Sequence, residues 1–420
     1  MKTINLSGLD MNYYVETLDN GLEIYMLPYD NKKNYFISFA TRFGSEVIEF
    51  KDEKQISHKL PLGIAHFLEH KMFEQESGED PFTFFSKSGT GCNASTSFDN
   101  TQYICYGNKK FEENLEYLIS FVNDPYYTDS NVNKEKGIIT EEINMYEDMP
   151  DIKLEMELRK NIFHKHPRRI DIAGTVEEIN KITKEDLYNC YSNFYIPNNM
   201  FILIVGNFNK EKAVEIIKKK LDYKKKEQLP EIEQVEEKDE IKKSKTEITS
   251  NIEIPKLAYG LKIPTKNLKL DSVELDLYLN ILTTILFGAS SEFRERVRNE
   301  KIVNGIHTEW ENLEDFRVFY LMASTKEPDK LEEEIKDEIS NLSITESSFN
   351  RIKKVWIANE IRMIDNIDAT VNNLYDDILK YGSIISDRID KIKSMKLKIL
   401  EELIKKIDFK NTSIVQMLPK

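Results

Sequence analysis

Residues 63–73 read GIAHFLEHKMF. At 3.6 residues per turn, His66 and His70 stand one turn apart and point the same way, as two imidazoles must to share one metal ion. Glu69 falls on the neighbouring edge of that face. Ile64, Phe67, Leu68 and Met72 gather on roughly the opposite side, so the segment predicts a helix with an apolar back and a metal-binding front.

Two histidines leave a catalytic zinc short of a ligand, since such sites use three protein ligands and keep one position open. Residues 135–148, EKGIITEEINMYED, offer the third. Ile138, Ile139, Met145 and Tyr146 predict one apolar stripe, with Glu142 in its middle, Glu135 two turns earlier on the same stripe, and Glu141 nearer its margin. A carboxylate on a core-facing stripe is costly unless it is paired or bound to metal. Glu142 is therefore the expected third ligand of one zinc per chain. Glu135 is expected to orient a ligating histidine, although an ordinary helix salt bridge would also account for it. Glu69, not needed as a ligand, is the expected general base.

Outward from this core, the chain of 420 residues exceeds one ordinary domain. With 40% hydrophobic and 10% aromatic residues it can build substantial cores. A net charge of −14 lacks the basic stripe of a nucleic-acid binder; it suits basic peptides, or is simply solvated surface. No window reaches the ~18 uninterrupted apolar residues of a membrane span, YLNILTTILFG being too short, and MKTINLSGLD has no signal-peptide pattern. Cys92, Cys105 and Cys190 are far apart and odd in number, which predicts reduced, structural thiols and a cytoplasmic setting. His58, His164, His166 and His307 have no ligand-like spacing and read as structural or solvated. No phosphate-binding loop or Ser/Cys nucleophile motif occurs.

The segment from Tyr223 to Ser250 is dense in charge and lacks an apolar stripe, which predicts a linker at 223–250 between domains 1–222 and 251–420. Strand-like runs occur on both sides: GLEIYMLPY, NYFISFATRFGS, CNASTSFDNTQYICYG and MFILIVGNF in the first half, IPKLAYGLKIP, VFYLMAST and NTSIVQML in the second. Helical stretches lie between them. The expectation is an α+β fold made of two homologous, diverged domains, each a mixed or antiparallel sheet packed with helices.

His66-Phe67-Leu68-Glu69-His70 is the inverted zinc motif of the inverzincins. With Glu142, and with GTGCNASTSFDNTQY, EKGIITEEINMYEDMP and HPRRIDIAGTVEEINKIT in order, nearly the whole chain resembles the pitrilysin or insulinase family of metallopeptidases, M16. Within it the chain is similar to the bacterial YmfH-like proteins. The resemblance implies the fold shared by LuxS and mitochondrial processing peptidase. It also implies zinc ligands at His66, His70 and Glu142, a base at Glu69, a second acidic residue at Glu135, and substrate-backbone pairing at Asn93 and Ala94; ending a turn after Gly91 accounts for Asn93 equally well. Family members also carry an Arg and, seven residues on, a Tyr that reach the substrate. Arg298 matches the first, but Asn304 and Gly305 stand where the Tyr belongs. Peptide hydrolysis in a clamshell chamber is implied, with a second M16-like subunit or a homodimer as partner. The alternatives are a non-catalytic structural subunit and a processing peptidase dedicated to one precursor peptide.

Overall fold

A computed structural model describes residues 1–420. The chain forms two compact units: Met1–Asn144 with Asp171–Gln234 and Arg362–Ser386, and Met145–Ile170 with Val235–Ile361 and Asp387–Lys420.

Unit 1 is built on a seven-stranded sheet in the order β1-β2-β3-β9-β4-β8-β7. These strands are β1 (Lys2–Leu6), β2 (Met11–Thr17), β3 (Glu23–Pro28), β4 (Tyr35–Thr41), β7 (Gly91–Thr96), β8 (Thr101–Gly107) and β9 (Met200–Gly206). A small side sheet joins β5 (Glu49–Lys51) to β6 (Ser57–Lys59) and β10 (Glu231–Ile232). The central strand β9, MFILIVG, is buried at every residue. An unbroken apolar strand is what a sheet covered on both faces requires. Ile202 and Ile204 face one core with Ile24, Ile37 and Phe39, beneath helices α1 (Ile64–Met72), α2 (Pro81–Lys87), α3 (Phe111–Val122) and α4 (Asp129–Glu147). Phe201, Leu203 and Val205 face a second core, closed by Val371, Leu374, Tyr375 and Ile378 of the helix Ile367–Tyr381.

Unit 2 repeats this logic on a five-stranded sheet ordered β11-β15-β12-β14-β13. Its strands are β11 (Lys245–Ser250), β12 (Lys256–Pro264), β13 (Val303–Asn312), β14 (Phe316–Thr325) and β15 (Thr412–Pro419). Leu257, Tyr259 and Leu261 face one core with the apolar helix Ser272–Phe287, whose Leu275, Leu279, Ile281 and Leu282 are buried there. Ala258, Val318, Tyr320 and Val415 face the other, against Leu154, Leu158 and Ile162 of α5 (Pro150–Ile162).

Each sheet's second face is thus covered by a helix from the other half of the sequence. The units therefore interleave along the chain, unlike a cut at 222–250. The charged segment also differs from a solvated linker. It supplies β10 and β11, and the side chain of Glu237 is only 2% exposed. Its carboxylate accepts backbone N–H groups of His164, Lys165 and His166 at 2.9, 2.7 and 2.9 Å, and lies 2.9 Å from the fully buried Lys262 Nζ. Cys105 and Cys190 are buried, and the half-buried Cys92 stands directly opposite Cys105 in the β7–β8 ladder.

Candidate metal centre

Helix α1 starts where Gly63, at φ 85°, turns the chain inward. A Cβ there would lie 2.2 Å from the carbonyl oxygen of Ala173, and one on Gly174 would lie 2.5 Å from that of Leu62. Two glycines thus let the start of α1 press against the IDIAGT segment, backbone to backbone. Ile64, Ala65, Phe67, Leu68 and Met72 then bury the back of α1. His66 and His70 are left on the front, their ring centroids 4.6 Å apart.

Opposite them stands α4. Its Glu142 places Oε1 3.8 Å from His66 Nε2 and Oε2 3.5 Å from His70 Nε2. One ligand atom from each of the three residues lies within 4.8 Å of the others. Tetrahedral zinc, with arms of about 2.0–2.2 Å, separates its ligand atoms by roughly 3.4 Å. The two imidazoles and the carboxylate are therefore spaced to close on one such ion by small side-chain adjustments.

The helix face that carries Glu142 differs from the stripe expected. Ile139 and Ile143 are buried with Asn131, Val132 and Glu135, but Ile138 is 48% and Met145 54% exposed. Glu142 sits at the border of the buried face, and Glu135 is the carboxylate inside it. Glu135 Oε1 lies 3.1 Å from His70 Nδ1. A proton held on Nδ1 by that bond leaves Nε2 as the lone-pair donor facing Glu142. His66 has no such support, since its Nδ1 is buried without a hydrogen-bond partner.

Glu69 is 9% exposed, and its Oε2 accepts a 2.6 Å hydrogen bond from the hydroxyl of Thr96, at the end of β7. Burial raises its proton affinity, and the Thr96 hydrogen bond opposes the rise. Burial and the neighbouring His70 push His66 down to about 4, so its imidazole is neutral at neutral pH. At His70 burial acts in the same downward direction, but the Glu135 bond and the surrounding carboxylates outweigh it and raise the pKa.

β7 is the edge strand of its sheet, with Asn93 opposite Ile104 and Ala94 opposite Tyr103. Asn93 is exposed and Ala94 is half-buried against the core. Arg298 lies exposed on the helix Glu292–Asn299 of unit 2, and Asn304 and Gly305 are exposed at the start of β13. Two residues of the site escaped the sequence reading. Thr96 carried no signal in its strand. Lys71, whose side chain is fully buried beside Glu135, did carry one: it stands seven residues after Ile64, on the apolar side of α1.

Residues 58–176 match the profile described as Insulinase (Peptidase family M16), and residues 181–355 that of the Peptidase M16 inactive domain. The uncharacterized zinc protease YmfH of Bacillus subtilis is 39% identical over 348 residues, 80% of this chain and 79% of that protein. A crystal structure described as an M16-like peptidase, from Alicyclobacillus acidocaldarius, superposes with a TM-score of 0.92 at 31% identity, covering 99% of this chain and 100% of that one. A protease from Helicobacter pylori shares the fold at a TM-score of 0.83 and 21% identity, covering 97% and 100%. A two-unit α+β fold, a zinc-protease-like sequence along four-fifths of its length and a two-histidine, one-glutamate cluster together show that this chain belongs to the M16 family of peptidases.

Proposed function

We propose that the chain is a zinc-dependent endopeptidase that hydrolyses peptides or unfolded polypeptide segments. The reading is carried by the convergence of His66, His70 and Glu142 from two helices, with Glu69 beside them and outside the ligand set. Those three residues would hold one zinc per chain. When bound, zinc polarises the scissile carbonyl and acidifies water.

The chain's own groups do the rest. Glu69 takes the proton of the attacking water on the oxygen that Thr96 leaves open and delivers it to the leaving amine nitrogen. Glu135 fixes the His70 tautomer through Nδ1. The free edge of β7, with Asn93 and Ala94, offers backbone groups on which an extended peptide adds as a strand. Arg298 is proposed as a further substrate contact. A second M16-like chain, or a second copy of this one, is the proposed partner. It would close the chamber and supply the tyrosine that Asn304 and Gly305 do not. The proposed setting is the cytoplasm, consistent with three free thiols.

Glu69→Gln is the test. The variant is expected to retain zinc and lose hydrolysis of a peptide library; cleavage at the wild-type rate would refute the mechanism. Cleavage of one precursor to the exclusion of the library would narrow the function to dedicated processing. The missing tyrosine favours a second reading, a non-catalytic subunit that serves to bind a partner. Protein purified without added zinc separates the two, because a scaffold that has given up its metal carries none.

A further inference from the structure

We infer that Lys71 is a positioning residue for the metal centre: its buried ammonium holds the carboxylate of Glu135 in the orientation from which Glu135 fixes His70. The inference rests on the metal reading of the site given above.

The side chain of Lys71 is fully shielded from solvent, between His70 and Met72 on the helix that carries both histidines. It donates to Glu74 and lies 3.7 Å from Glu135 Oε2. The other oxygen of Glu135 lies 3.1 Å from His70 Nδ1. One 8%-exposed carboxylate thus divides its two oxygens between an imidazole and an ammonium. A buried charge is expensive to keep, and an apolar side chain of similar length is often at least as stable in its place. Met or Leu would suit the apolar neighbours Phe67, Leu68 and Met72. The charge therefore calls for a role, and the group it meets inside the fold is Glu135.

The sign of the effect distinguishes positioning from bulk electrostatics. Removing a cation near a dication site strengthens metal binding if charge alone matters. It weakens binding if Lys71 acts by holding Glu135, and through it His70.

Zinc affinity is measured on the full chain by competition with a chromophoric chelator, with thermal unfolding of the metal-free proteins as the fold control. Lys71→Met is expected to bind zinc about tenfold more weakly or worse, as disrupted support of a ligating histidine typically does. Glu135→Gln is expected to lose at least as much, and the double variant no more than Glu135→Gln alone, because both act on one path. Glu74→Gln is expected to stay within about twofold of wild type, the ordinary scale of a half-exposed pair. If Lys71→Met fails to fold, Lys71→Gln carries the same expectation. Unchanged or tighter zinc binding by the Lys71 variant overturns the inference, as do multiplicative losses in the double variant. A wild-type chain that takes up no zinc overturns the metal reading itself and this inference with it.

Discussion

The hydroxyl of Thr96 stands 2.6 Å from Oε2 of Glu69, joining the end of an edge strand to the helix that carries both histidines. The bond occupies one carboxylate oxygen and leaves the other for a water proton. It also ties the proposed base to the strand on which a substrate would lie, so the reacting bond and the base share one frame.

Thr96→Val keeps the shape of the side chain and removes the donor. A hydrogen bond to a charged group is worth about 1.5–3 kcal/mol, so kcat is expected to fall roughly ten- to a hundredfold, with zinc content unchanged. Thr96→Ser is expected to restore most of the rate. Steady-state kinetics with a fluorogenic peptide, alongside metal analysis, checks both.

Removing the metal should act on stability as well as rate. A ligand at a hundred times its Kd adds about 2.7 kcal/mol to the state that binds it, a Tm rise of roughly 5–10 °C for a unit of this size. Metal-free protein titrated with zinc is expected to show that rise and to regain hydrolysis together. Glu142→Gln is expected to show neither. Differential scanning calorimetry with and without zinc decides it.

Parts of this centre are legible in the sequence because they are local. A one-turn spacing fixes His66 and His70 on one face whatever surrounds them, and the apolar back of α1 is buried as periodicity requires. Glu142 lies opposite both imidazoles, but at the border of the buried face and not in the middle of an apolar stripe, since Ile138 and Met145 are exposed and Glu135 holds the buried position. The exchange of α5 and the helix Ile367–Tyr381 could not be read, because an amphipathic helix does not specify which sheet face it will cover. The segment 223–250 is hard to read for a related reason. Its charge run resembles solvated surface, whereas Glu237 is buried with its charge matched by Lys262 and three backbone donors.

Gly63 gives a sharper test of how α1 is held. Its φ of 85° is strained for any side chain, and a Cβ would meet the Ala173 carbonyl at 2.2 Å, a backbone group that cannot swing aside. Gly63→Ala is expected to destabilise the protein by more than about 2 kcal/mol and to lower zinc affinity by displacing the first turn of α1. Gly78 is the control, since it also has positive φ but nothing lies within 4 Å of its would-be Cβ. Gly78→Ala is expected to cost only the conformational part, about 1 kcal/mol, and to leave zinc binding intact. Denaturant unfolding of both variants, with zinc affinity measured in parallel, separates clash from strain.

The Glu237–Lys262 pair predicts a pH dependence independent of the metal. Burial alone would raise the pKa of Glu237, but the backbone N–H groups of His164, Lys165 and His166 and the Lys262 ammonium bring it down to about 2, from an ordinary value of 4.5. A carboxylate with a depressed folded pKa stabilises the fold above its unfolded value and loses that contribution as pH falls towards the folded one. Stability is therefore expected to decline between about pH 4.5 and pH 2, by about 3 kcal/mol from this group. Glu237→Gln removes the charge at every pH and leaves the buried Lys262 ammonium, still bonded to the Lys238 carbonyl, without its carboxylate partner, a loss of about 3–5 kcal/mol at neutral pH. Its unfolding free energy should then lack this component of the acid decline. Urea unfolding of wild type and variant across pH 7 to 2.5 measures both effects. Parallel curves, offset by a constant amount through the acid range, would show that Glu237 titrates as an ordinary surface carboxylate and that its burial is not what anchors the segment.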